Sequence, residues 1–208
     1  MNYRRQTEYR LIAMKATGKL MLAMTLCACM KAEQVKWMPP APQSTNSLGA
    51  LTVSGKTLLS PTIRANAGAL VAKDARYDDS GKLQITYVMG QTSVHVTVSV
   101  SSREDVFEAT MDADQPLISS VDLGSWSPDL QPHSIPVPYY TGSISYLPSI
   151  AAYGNAWWDW HTTHATRLTG TTAQYFTRTD STVAPFHEQL LLALSPDVDA
   201  VLPSPERP

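Results

Sequence analysis

Val94-His95-Val96-Thr97-Val98-Ser99-Val100 alternates a branched apolar residue with a polar one without a break. A period of two belongs to an extended chain, so the valines share one face and His95, Thr97 and Ser99 share the other. Branched side chains favour a pleated, half-buried surface, which makes this run a strand with one face in a core and one in water. Residues 82–89 form a second such run, joined to 93–101 through Gly90-Gln91-Thr92 and preceded by the turn Asp79-Ser80-Gly81. Residues 106–111 and 118–123 continue the series across an acidic, proline-containing turn (Asp112, Asp114, Pro116), as expected of an antiparallel meander.

Residues 127–138 are rich in proline and read as a crossing from one block of strands to another. Residues 142–147, 155–160, 165–168, 172–176 and 190–195 supply the later strands. The leucines and Glu188-Gln189 within 186–194 have good helix propensity, yet the short-strand context favours a strand there too. Many short strands with hardly a helical run predict an all-β protein, an antiparallel two-sheet β-sandwich spanning 47–203, with 204–208 read as a truncated linker.

A different pattern precedes this body. Lys15 and Lys19 give a cationic head, residues 20–26 an apolar run, and Leu26-Cys27-Ala28-Cys29 a stretch that ends on a cysteine. The apolar run is far shorter than the roughly 20 residues a spanning helix needs, so it targets rather than anchors. Residues 1–29 are therefore expected to be an export signal that enters the bilayer as a helix. The tail of that segment resembles the bacterial lipoprotein processing site, which implies lipid attachment at Cys29. Cys27 is a poorer choice, because Leu26 is large beside a cut. A start at Met14 would give a signal of ordinary proportions, whereas 1–13, with Arg4, Arg5 and Arg10, lengthens the head unusually. A plain cleaved signal or a core helix are the bland alternatives.

Of 16 basic and 18 acidic residues, 11 and 17 remain beyond residue 29, a net charge of −6. So acidic a chain lacks the basic surface that nucleic acid or anionic lipid requires, and no nucleic-acid partner is expected. The chain has only two cysteines, both within the signal, so the body must hold without a disulfide. Residues 30–46, with Pro39, Pro40 and Pro42 and few large apolar groups, read as a disordered tether between lipid and fold.

Trp157-Trp158-Asp159-Trp160-His161 is the densest aromatic cluster. On a strand, Trp158 and Trp160 fall on one face and Trp157, Asp159 and His161 on the other. Exposed rings could stack on the C–H faces of sugars while Asp159 and His161 bind hydroxyls. Buried rings would simply fill the space between sheets, the commoner use. His161 and His164 have the look of a metal pair, but three residues along a strand places them on opposite faces, so no metal and no other cofactor is expected. His95, His133 and His187 are isolated and read as solvent-facing or hydrogen-bonded spectators.

No Gly-x-Ser-x-Gly elbow and no phosphate-binding glycine loop occurs. The paired carboxylates Asp78-Asp79, Glu104-Asp105 and Asp112/Asp114 fall in predicted turns, where charge serves solubility. Asp159, Asp180 and Glu188 are the only acidic residues left beside aromatic or apolar neighbours.

Ile135-Pro-Val-Pro-Tyr139-Tyr140-Thr-Gly142, Asp159-Trp160, Arg178-Thr179-Asp180, Ser195-Pro196 and Leu202-Pro203 together resemble the N-terminal β-sandwich, related to the galactose mutarotase-like supersandwich, of large bacterial glycoside hydrolases. The resemblance covers about 70–208 and rests on structural turns. Ser181 stands where a turn glycine is expected and Val183-Ala184 replace an Arg-Asn type pair. In that family a catalytic domain follows, so the resemblance implies an ancillary domain without one. The expectation is a lipid-anchored sandwich at a bacterial outer membrane or cell surface that binds glycan without catalysing its hydrolysis. The alternatives are a structural or assembly lipoprotein without ligand and an active glycoside hydrolase.

Overall fold

A computed structural model describes residues 31–103, 105–136, 143–158, 165–169, 172–176 and 187–202, by backbone alone at 143, 157, 158, 165–169 and 172–176. The signal segment with Cys29, the stretch Asp159, Trp160, His161 and His164, the turn around Asp180 and residues 204–208 lie outside the described residues.

The fold is all-β and antiparallel, as the alternation predicts. An eight-stranded sheet is built from β5 (Val71–Tyr77), β6 (Leu83–Met89), β7 (Thr92–Arg103), β8 (Val106–Ala113), β10 (His133–Pro136), β11 (Ser143–Leu147), β12 (Ala152–Trp158) and β15 (His187–Ser195). Its order is β10-β11-β12-β15-β8-β7-β6-β5. The layer opposite is not one sheet but two. One has β1 (Val35–Met38), β2 (Ala50–Val53) and β3 (Lys56–Leu59); the other has β13 (Ala165–Thr169), β14 (Thr172–Phe176), β9 (Ile118–Ser125) and β4 (Thr62–Ala65).

The valine run forms the sandwich as its pattern demands. Val94, Val96 and Val98 are fully buried, beside Leu83, Ile85 and Tyr87 of β6 and Ala109 and Met111 of β8. These side chains meet Leu51, Val53, Leu58, Ile63, Val121 and Leu123 of the opposite layer in a single apolar core. The join between β6 and β7 is a two-residue turn, Gly90-Gln91, with Met89 paired to Thr92 and Gly90 at φ 63°. A left-handed first turn residue is what glycine supplies without strain.

Residues 186–194 are a strand from His187 onward, and their leucine run has its own reason. Leu190 and Leu192 face the main core, whereas Leu191 and Ala193 face a second cluster with Ile144 and Val201 on the far side of the sheet. Covered on both faces, β15 cannot alternate, which is why it imitates a helix in sequence.

Two expectations about connectivity need correction. The meander ends at β8, because β9 crosses to the opposite layer and pairs with β4 and β14. Asp112, expected in a turn, lies within β8, which continues to Ala113. The crossing after Trp126 does link the two layers, through a short 3-10 turn at Pro128–Leu130 into β10.

The larger correction concerns 30–46. From Lys31 onward this segment is part of the folded body and not a tether. Ala32 and Trp37 are buried, Val35 pairs with Val53, and Trp37 pairs with Leu51. The proline stretch beyond is fastened by its backbone. Gln43 N–H donates to Ala72 O at 2.8 Å, Asn46 N–H to Leu70 O at 2.7 Å, and Ile63 N–H to Asn46 O at 2.8 Å. Composition undercounted this segment because Ala32, Val35 and Trp37 all go to the core while only Met38 among its large apolar groups stays exposed, and prolines suit an extended chain whose bonds come from its other residues.

Candidate functional site

On the outer face of the eight-stranded sheet, the partners of the core valines line up. Gln84 lies opposite Thr97, Thr97 opposite Asp112, and Asp112 opposite His187, so four strands contribute to one row. The row is bonded nearly end to end. Gln84 Nε2 donates to Asp78 Oδ2 at 2.9 Å, Thr97 Oγ1 donates to Gln84 Oε1 at 2.8 Å, and His187 Nδ1 bonds Asp112 Oδ1. Because a carboxylate only accepts, His187 carries its proton on Nδ1 toward Asp112 and presents Nε2 outward.

Asp78 closes the row at the β5–β6 turn. Its Oδ1 accepts from Ser80 Oγ at 2.7 Å, Ser80 N–H at 2.9 Å and Lys82 N–H at 3.0 Å. These donors, led by the Ser80 hydroxyl and the Gln84 amide, hold the carboxyl down at about 2, so it stays ionised. A second row lies beside the first, with Thr86 Oγ1 and His95 Nδ1 at 3.2 Å and Asp114 Oδ1 accepting from His95 N–H at 2.9 Å. On the other flank Ser101 Oγ donates to Glu108 Oε2 at 3.3 Å. That flank continues in register from Glu108 to Leu191 and from Leu191 to Trp157.

Trp157 and Trp158 take strand positions of opposite face, as expected. Trp157 is in register with Leu191, an outer-face residue, and Trp158 with Leu190, a core residue. Asp159, Trp160 and His161 fall outside the described residues. A second aromatic pair, not anticipated from sequence, is present nearby. Tyr146 on β11 and Tyr153 on β12 stand opposite each other with ring centroids 5.0 Å apart and planes tilted by 42°. Both are half-buried, and Tyr153 packs against the outer apolar cluster. The segment 196–202 covers that cluster, tied down by Asn155 Nδ2 donating to Val201 O at 3.1 Å.

Among the described residues, no group of three or more His, Cys, Asp or Glu side chains is arranged to hold a metal ion. His187, expected to be solvent-facing or hydrogen-bonded, is exposed and hydrogen-bonded to Asp112, a residue 75 positions away. Glu188 faces inward and is 3 % exposed, so it lies in the sandwich interior and not on this surface. What the outer face offers is amide, hydroxyl, carboxylate and imidazole groups at the strand spacing of about 4.8 Å, held in place by one another. Such a surface can bind a polyhydroxyl ligand by exchanged hydrogen bonds.

No family model matches the chain, and neither a curated protein nor a solved structure matches it.

Proposed function

We propose that this protein is an exported, lipid-anchored β-sandwich that binds glycan across the outer face of its eight-stranded sheet and does not hydrolyse it. The observation that carries the reading is the row Asp78, Gln84, Thr97, Asp112 and His187, pre-ordered by its own hydrogen bonds on an open sheet face. Groups already fixed lose little entropy on binding, and neighbouring rings at Tyr146 and Tyr153 add stacking surface at the sheet's far end. The signal pattern ending at Cys29 supports export and anchoring.

On this outer face hydrolysis is disfavoured by the state of the carboxylates. A glycosidase keeps one carboxyl protonated by an apolar setting. Here Asp78 is held ionised by its donors, Asp112 is engaged with His187, and Asp114 caps a backbone N–H.

A glycan array probed with the mature chain tests the reading. Binding to one glycan class that is lost in His187→Ala and weakened in Thr97→Val, with the fold intact by circular dichroism, is the expected result. Silence across the array would sink it. The core-side position of Trp158 favours the second reading, a structural or assembly lipoprotein whose tryptophans serve packing, and that silent array is what it anticipates.

A further inference from the structure

The anchor and the body are closer than a tethered lipoprotein would allow. Ala32 is fully buried in the main core, and the 3-10 turn Ala32–Gln34 packs against β7, β8 and β15. Gln34 N–H donates to Lys31 O at 3.0 Å, and β1 begins at the next residue. Folded structure is therefore already present at Lys31. Cys29 precedes it by two residues, which span at most about 7 Å even when fully extended.

We infer that the bilayer surface is itself a partner of this body, which lies flush on the membrane by the side that carries Lys31–Gln34. This rests on the lipid-anchor reading proposed above. Acyl chains on Cys29 place that residue at the headgroup level, and the short connection leaves at most a thin layer of water between lipid and fold. Lys31, Glu33 and Lys36 are the exposed charged side chains nearest in sequence to the attachment point, with two cations suited to phosphate headgroups. The rest of the body contributes no such attraction, given its net acidic charge.

Orientation follows from which side the turn occupies. Ala32 belongs to the core cluster, so the turn lies on the inner side of β7, β8 and β15, opposite the face that carries the row ending at His187. The proposed ligand face is thereby turned away from lipid. A tethered body would tumble and present every face equally; a flush one presents this face outward at all times.

The test uses the lipidated full chain in phospholipid vesicles that carry a headgroup-attached nitroxide quencher. With Cys27 removed by processing and Cys29 acylated, single thiols at Glu33→Cys, Thr110→Cys and Gln91→Cys can each take a fluorophore. Thr110 lies on the outer face of β8, and Gln91 lies in the β6–β7 turn at the other end of β6 from Tyr77. Strong quenching at Glu33→Cys with little at the other two is expected. An inserted Gly/Ser linker of about ten residues before Lys31, with a span of roughly 17 Å, should remove that contrast. Equal quenching at all three sites in acylated, vesicle-bound protein would overturn the flush placement while leaving the anchor intact. Absence of acyl mass on Cys29 would overturn the anchor, and the placement with it.

Discussion

The indole of Trp37 donates its Nε1–H to the carbonyl oxygen of Leu48 at 2.8 Å, a buried bond between the first strand and the loop that enters the second. Trp37 is 1 % exposed, and its own carbonyl accepts from the hydroxyl of Tyr77 on the eight-stranded sheet. One residue thus joins both layers. Trp37→Ala should lower stability by about 3 to 5 kcal/mol through lost packing. Trp37→Phe should cost about 1 kcal/mol more than ring volume alone explains, because the Leu48 carbonyl is left without its donor. Urea midpoints measure both, and a chain begun at Ser47 should show no cooperative transition. An unchanged midpoint in that shortened chain would restore the tether.

Gly154 on β12 exists for the ring of Trp126. A Cβ built there would lie 2.9 Å from Cη2 and 3.1 Å from Cζ2 of that indole, and 3.3 Å from Leu147 Cδ1. Trp126 is 2 % exposed and cannot swing into solvent without opening the core. Gly154→Ala should therefore destabilise by about 1 to 3 kcal/mol, the usual cost of overpacking. Combining it with Trp126→Leu should cost less than the two single effects added, a coupling that thermal melts of the four proteins would reveal. Strict additivity would mean the contact carries no strain.

Asp78 sets an acid dependence whose sign is fixed by its donors. Its folded-state carboxyl is lowered from 3.8 to about 2, first by the Ser80 hydroxyl and then by Gln84. A group depressed in the folded state contributes stability that is present above the unfolded value and lost as pH falls through the folded one. Stability should thus decline as pH drops from about 4 toward about 2, and Asp78→Asn should flatten that decline while weakening the protein at neutral pH. Denaturant midpoints read at several pH values decide it. Parallel curves for the two proteins would show that the carboxylate is not engaged in solution.

Much of the fold could be read from residues 82–123, because strict alternation reports one buried face directly and Gly90-Gln91 reports the hairpin. Register across distant strands could not. His187 meets Asp112 only because β15 inserts between β8 and β12, and no local pattern states which strand a returning strand will join. Tyr146 and Tyr153 pair for a local reason, seven residues apart across the turn Pro148–Ile150, and a later strand read from sequence as beginning at 155 leaves Tyr153 outside it. The segment 31–46 misled for another reason: composition averages over positions, whereas burial of Ala32, Val35 and Trp37 depends on where a few residues fall. The split of the second layer into two sheets likewise depends on pairing that local sequence does not encode.

Cys29→Ala should leave the protein exported but free in the soluble fraction, or uncleaved. One acyl chain binds a bilayer marginally and stable anchoring takes two, so loss of the attachment thiol removes the whole anchor. No described helix is long and apolar enough to span a membrane, and the chain beyond residue 29 is net acidic. Fractionation after alkaline extraction, paired with intact mass of the processed chain, measures both events. Cys27→Ala, altering only the residue two before the proposed attachment site, should leave the protein in the membrane fraction with its lipid mass. A cleaved Cys29→Ala protein that still pellets with membranes through alkaline washing would show that something other than lipid on this cysteine holds it there.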